Sequence, residues 1–260
     1  MKTFLFVFLS VAVSVSVSVP TAVSAREIFV IAGQSNSANH GNAKLVPTDR
    51  RVFSFDYSNG SWRPAYDPQP TATGNGGSPW PAFGSRLARR LGTGVGIVSI
   101  GVGGSAAAEW LPDGGHFWRF QAALKALGPN AHVRAILWHQ GEADVYGRTT
   151  TAEYVKTMAA LIDAVNAEAG YRIPWLVAQA TYVNFEKMGE HERARMAEIQ
   201  LAQQLLWSSG KALRGANTDD LIGPEWRWDG IHFNKRGLTL HGQRWADAVA
   251  TQLYPGRRGD

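Results

Sequence analysis

The sequence predicts an α/β fold in three layers, a doubly wound parallel sheet with helices on both faces. Three observations carry this. Short β-rich runs alternate with helical stretches along most of the chain, and strands separated by helical crossovers pair in parallel. Each of the first three runs is followed directly by a polar, glycine-containing segment, and in such sheets ligands gather beyond the carboxyl ends of the strands. Residues 26–260, which remain after a predicted leader, are enough for a single domain with a substantial core.

Residues 1–25 read as a secretory signal peptide. Lys2 precedes an uncharged Val- and Phe-rich run from Thr3 to Val19, then Pro20 and the small-residue sequence Val23-Ser24-Ala25, the order of charge, apolar run and cleavage site that such leaders share. The run falls short of the roughly 20 apolar residues a spanning helix needs and is broken by serines. Cleavage after Ala25 therefore predicts a mature protein that is secreted or periplasmic, without stable membrane insertion.

The predicted parallel strands are Glu27–Ala32, Val95–Ile100, His132–Trp138 and Trp175–Ala180. Between the first two, Arg51–Trp62 reads as a β-hairpin closed by Asn59-Gly60, and Pro64–Pro81 as a long surface loop. A helix is expected near Phe83–Leu91. The strongest helical signal follows Thr150: Thr150 and Glu153 fit a capping box, and Tyr154, Val155, Met158, Leu161, Ile162 and Val165 recur at helical spacing until Gly170. Two more helices are expected, from about Met188 to Trp207 and from Lys235 to Leu253.

Composition narrows the chemistry. Lys and Arg number 26 against 21 Asp and Glu, but they are scattered rather than run together, with no cluster beyond pairs such as Arg50-Arg51 and Arg257-Arg258, so no nucleic-acid footprint is formed. Without cysteine, disulfides, thiolate nucleophiles and cysteine-bound zinc are excluded. No metal and no cofactor is expected. His132, His139 and Glu142 lack a zinc-binding spacing, and the dinucleotide-like run Gly101–Ala106 is followed by Pro112 and Gly114-Gly115, which break the helix that fingerprint needs. No Gly-x-Ser-x-Gly elbow occurs. Oligomeric state is not legible.

Four segments remain as the candidate site: Gly33-Gln-Ser35-Asn36 after the first strand, Gly101-Val-Gly-Gly104-Ser105 after the second, His139-Gln140-Gly-Glu142-Ala-Asp144 after the third, and Asp229-Gly-Ile-His232 before the last helix. Ser35, where a strand turns into a helix, is placed for acyl transfer but needs a base. His232 supplies one, and Asp229, three residues earlier, would fix its tautomer. The backbone N–H groups of Ser35 and Gly104 and the Gln140 side-chain amide would hold the oxyanion. Glu142 is the alternative acid partner for His232, or a loop anchor.

These segments resemble the blocks of the SGNH (GDSL) hydrolases. Ile31-Ala-Gly-Gln-Ser35-Asn, Gly103-Gly104-Ser105 with Glu109-Trp110, Trp138-His-Gln-Gly-Glu142-Ala-Asp144 and Asp229-Gly-Ile-His232 are similar to the branch holding sialate O-acetylesterases and acetyl xylan esterases. The resemblance implies a flavodoxin-like sandwich and a serine esterase acting on acetylated carbohydrate, with Ser35 as nucleophile, Asp229 and His232 completing the triad, and Gly104 and Gln140 completing the oxyanion hole. Many SGNH enzymes carry Asn where this chain has Gln140, one methylene longer. Two rivals share the scaffold: a carbohydrate-binding protein without chemistry, for which Trp110, Trp226 and Trp228 would be stacking surfaces, and a lipid or aryl esterase.

Overall fold

A computed structural model of the chain describes residues 26–184 and 189–256. The expected leader, the Arg257-Arg258 pair and the expected helix start at Met188 lie outside the described residues.

Seven strands form one sheet: β1 (Arg26–Gly33), β2 (Val52–Asp56), β3 (Ser61–Pro64), β4 (Gly94–Ser99), β5 (Val133–His139), β6 (Trp175–Gln179) and β7 (Leu213–Asn217). Their order is β3-β2-β4-β1-β5-β6-β7, and every pairing is parallel except the β2–β3 hairpin. The apolar residues of β1 alternate between two cores. Phe29 and Ile31 face one side with α1 (Trp80–Leu91) and α6 (Lys235–Leu253). Val30 and Ala32 face the other with α2 (Trp118–Leu127), the short α3 (Glu142–Gly147), α4 (Thr151–Ala169) and α5 (Glu190–Ser208). Burial on both faces is why the central strands read as continuous apolar runs.

The chain lays β4 on one side of β1 and then crosses to lay β5 on the other. That reversal opens a crevice at the carboxyl ends of β1, β4 and β5, where the first three polar segments emerge. The capping box holds as read: Thr150 N–H donates to Glu153 Oε2 at 2.9 Å.

Three expectations need correction. Strand β7 was not anticipated: Leu-Arg-Gly-Ala-Asn carries little β signal, yet a side chain at Gly215 would stand 2.8 Å from Val177 and Trp245, so glycine is what lets β7 close against β6 and α6. Helix α2 was also unread. The stretch after Pro64 is not a loose surface loop, because the buried Asp67 carboxylate ties it inward, accepting from Leu45 N–H at 2.9 Å and from Ser78 N–H at 2.8 Å.

Candidate active site

The end of β1 sits closer to β5 than any side chain allows. Gly33 has φ +126, and a Cβ there would lie 2.1 Å from the His139 carbonyl oxygen. Gln34 locks the turn to the neighbouring strand, its N–H donating to His139 O at 3.1 Å and its Oε1 accepting from Ala143 N–H at 2.9 Å. A single 3-10 turn, Ser35–Ser37, follows. The side-chain hydrogen bonds that hold it come from Gln34, Asn36 and Ser37, and Ala38 N–H closes it on Ser35 O at 3.0 Å. Ser35, 6% exposed, lines a cleft of about 530 Å³ together with Gly104, His40, Tyr146, Tyr182 and His232.

His232 reaches this cleft from the loop before α6. Asp229 Oδ2 lies 2.7 Å from His232 Nδ1, and its Oδ1 accepts the N–H of Ile231 at 2.9 Å and of His232 at 2.7 Å. Burial works against ionising Asp229, but these hydrogen bonds outweigh it and hold the carboxyl below its ordinary range. A carboxylate at Nδ1 keeps the imidazole proton there and leaves Nε2 as the basic atom. Beneath the loop, the buried Arg227 donates to the carbonyls of Leu221 at 2.7 Å, Thr218 at 3.2 Å and Ile231, between the rings of Tyr182 and Phe233. Burial lowers its pKa to about 10, so it remains a cation.

Gly104 has φ +74, and nothing stands within 4 Å of where its side chain would be. Its backbone therefore faces the cleft unshielded. Among the described residues, the N–H groups of Ser35 and Gly104 donate to no protein acceptor.

Gln140 is placed differently from the expectation. It is fully buried and stands behind the cleft wall, its amide donating to Asp144 and to Ser105 O at 3.2 Å while its Oε1 accepts from Tyr154 OH at 3.0 Å. Asp144 also accepts Ala107 N–H at 2.9 Å, so Gln140 and Asp144 together brace the segment that follows Gly104.

Glu142 does not pair with His232. Its Oε1 accepts from Asn36 Nδ2 at 2.9 Å and lies 3.8 Å from His139 Nε2. Asn36 Nδ2 also reaches Ile231 O at 3.4 Å, so this buried carboxylate joins the Ser35 turn to the His232 loop. Burial opposes its ionisation, yet His139 and Asn36 bring its pKa below the usual value. A carboxyl whose folded pKa is depressed adds stability that is present above its unfolded pKa and lost as pH falls through the folded one. On acidification below about pH 4.3, the unfolded glutamate value, the melting temperature of Glu142→Gln is expected to fall less steeply than that of wild type. Parallel curves down to acid unfolding would refute the assignment of charge to Glu142.

The tryptophans divide. Trp110 is fully buried in the core, which removes it as a stacking surface. Trp226 is half-buried beneath Arg236, 4.5 Å from ring centre to guanidinium. Trp228 stays 52% exposed beside the His232 loop, and Tyr146, unnoticed in the sequence, is 57% exposed at the cleft wall. Asn36 stands in the block read from the sequence, whereas His40, Thr73 and Arg227 are further site residues without a distinguishing sequence signal of their own. A concavity of about 780 Å³ between α4 and α5 involves none of these groups.

A mostly parallel sheet bearing serine, histidine and aspartate at its carboxyl edge is the architecture of the SGNH-type hydrolases. The chain belongs to the carbohydrate esterase family described as sialic acid-specific acetylesterase, whose model matches residues 25–251. The probable carbohydrate esterase At4g34215 of Arabidopsis thaliana is 28% identical over 167 residues, 54% of this chain and 63% of that protein, so the match spans less than two thirds of the relative. The crystal structure of that Arabidopsis protein superposes with a TM-score of 0.70 at 20% identity, covering 88% of this chain and 99% of the other. A carbohydrate acetylesterase of Xanthomonas citri gives 0.61 at 21%, covering 88% and 57%. One of Sinorhizobium meliloti gives 0.55 at 19%, covering 87% and 99%. At these identities the superpositions establish fold. Among the described residues, no helix is long and apolar enough to cross a membrane.

Proposed function

We propose that this protein is a serine esterase that removes acetyl or other short acyl groups from hydroxyls of carbohydrates, exported after cleavage behind Ala25. The observation that carries the reading is the convergence of Ser35, a His232–Asp229 pair at 2.7 Å and two uncommitted backbone N–H groups on one cleft. A binding protein has no use for that combination. The family match beginning at residue 25 supports the boundary of the leader, and a mature protein beginning at Arg26, read by intact mass after export, is the expected result.

In this reading Ser35 Oγ attacks the ester carbonyl carbon while His232 Nε2 takes its proton. The oxyanion is held by the N–H groups of Ser35 and Gly104. As the intermediate collapses, the sugar oxygen leaves with the proton from His232. Water then attacks the acyl-serine by the same route, releasing the carboxylic acid and restoring Ser35. Gln140 supports the Gly104 segment from behind.

The test is a substrate panel: acetylated xylo-oligosaccharides, O-acetylated sialic acid, and alkyl and aryl esters of increasing acyl length. Acetate release from at least one acetylated sugar is expected, with kcat/KM falling as the acyl chain lengthens. A preference for long acyl chains, with no sugar ester turned over, would replace this reading by the lipid or aryl esterase. The exposed ring of Tyr146 offers a platform for a sugar face, and a contribution like that of an aromatic pair, roughly 0.5–1.5 kcal/mol, is expected from it. Tyr146→Ala is therefore expected to raise KM for the acetylated sugar about three- to tenfold and to leave a simple alkyl acetate unaffected. Equal effects on both esters would remove Tyr146 from sugar recognition.

A further inference from the structure

Asp229 fixes His232 at one atom, Nδ1, and a single in-plane hydrogen bond leaves the ring free to tilt. Torsion about the bond to an aromatic ring is intrinsically broad, so tilt has to be set by packing on the ring face. One ring does this. His40 lies in the cleft wall with its imidazole stacked on that of His232, the centroids 5.3 Å apart and the planes 24° from parallel.

His40 is itself held on three sides. Its Nε2 stands 3.3 Å from Thr73 Oγ1, and the same hydroxyl accepts the N–H of Gly103, next to Gly104, at 2.8 Å. Thr73 thus has its hydroxyl proton available for His40 Nε2. On the second side, a side chain at Gly103 would stand 2.8 Å from that nitrogen, so the glycine backbone lies flush against the ring. On the third, Trp228 Nε1 donates to His40 O at 3.4 Å. The ring consequently touches the segments that carry the oxyanion donor and the base, five residues downstream of the nucleophile.

We infer that His40 is a positioning residue for His232: a stacked imidazole, braced by Thr73 and Gly103, that sets the tilt of the base toward Ser35. The inference rests on the reading of His232 as the base. The titratable groups facing His40 are His232 and Asp229. Burial and then His232 push the His40 pKa below the ordinary imidazole value, against the pull of Asp229, a direction that favours a neutral ring beside the base. A second cation stacked there would oppose each proton transfer.

The test compares His40→Ala, which removes the ring, with His40→Phe, which keeps an aromatic face. On a simple acetate ester, His40→Ala is expected to lose roughly tenfold or more in kcat with KM nearly unchanged, as misorientation of a catalytic group does. His40→Phe is expected to recover most of that loss. An NMR signature independent of turnover accompanies it: the His232 Cε1–H proton, shielded by the stacked ring, shifts downfield in His40→Ala and not in His40→Phe. If His40→Ala fails to fold by circular dichroism, Thr73→Val loosens the brace and is expected to give a smaller loss of kcat. Wild-type kcat in His40→Ala, equal losses in the alanine and phenylalanine variants, an unmoved His232 resonance or, in the fallback, wild-type kcat in Thr73→Val would each overturn the inference. Ser35→Ala run alongside separates the two levels: an active Ser35→Ala sinks the esterase reading, whereas an inactive one beside any of these results sinks only the role of His40.

Discussion

Replacing Ser35 by alanine is expected to lower ester turnover by roughly 10⁴-fold or more while leaving the melting temperature within a degree or two of wild type. The two halves of that result come from different atoms. Hydrolysis through an acyl-enzyme needs the hydroxyl oxygen, and no other residue of the cleft offers a substitute at that position. The fold does not need it, because the turn is held by Gln34 against β5, by Asn36 on Glu142 and by Ser37 Oγ on Gln34 O. The backbone N–H of residue 35 survives the substitution, as do Gly104, His232 and Asp229, so a faint residual rate above water is expected from the oxyanion donors alone. Purified Ser35→Ala retaining more than a few per cent of turnover, with contaminating esterase excluded by mass spectrometry, would end the assignment. A fluorophosphonate probe gives an independent reading: it should label wild type at Ser35 and leave Ser35→Ala unmarked.

What the sequence revealed of the molecule follows from which interactions are local. The strands around β1 were legible because each is buried on both faces and therefore apolar throughout, and α4 because its capping box and its spacing are written within one short stretch. Strand β7 was not, since its place depends on Gly215 fitting under Trp245 and against Val177, a contact no window on Leu213–Asn217 contains. The same division runs through the site. Ser35, Gly104 and His232 stand in segments whose order along the chain maps onto the sheet edge. His40 looks like any loop histidine until Thr73 and His232, distant in sequence, are brought beside it. Gln140 was recognisable as a site residue but not in its contacts, because the direction of its amide is decided by Asp144 and Tyr154, and Trp110, a stacking surface only in the binding-protein reading, lies in the core.

Asp229 and Glu142 are the two carboxylates that compete for the acid role, and their substitution by amides is expected to separate them by orders of magnitude. In Asp229→Asn the side chain remains the same size, but its amide can donate to Nδ1. That favours the tautomer with the proton on Nε2, the atom that has to accept one from Ser35. In a serine protease the equivalent change costs about 10⁴ in kcat, and a loss of about 10²–10⁴ is expected here, the smaller figure allowing for a loop more open to water than a protease interior. Glu142→Gln does something else. Its carbonyl oxygen can still accept from Asn36 Nδ2, so the link between the Ser35 turn and the His232 loop persists, while the charge that faces His139 at 3.8 Å is gone. The expected result is a drop in stability of about 1–3 kcal/mol, the range for breaking up a buried polar group's partnership, with kcat reduced less than tenfold. Measuring kcat and urea unfolding on both variants decides it. Should Glu142→Gln, still folded, lose more turnover than Asp229→Asn, then the charge that serves His232 is the one beneath the cleft, and the acid of the triad is Glu142.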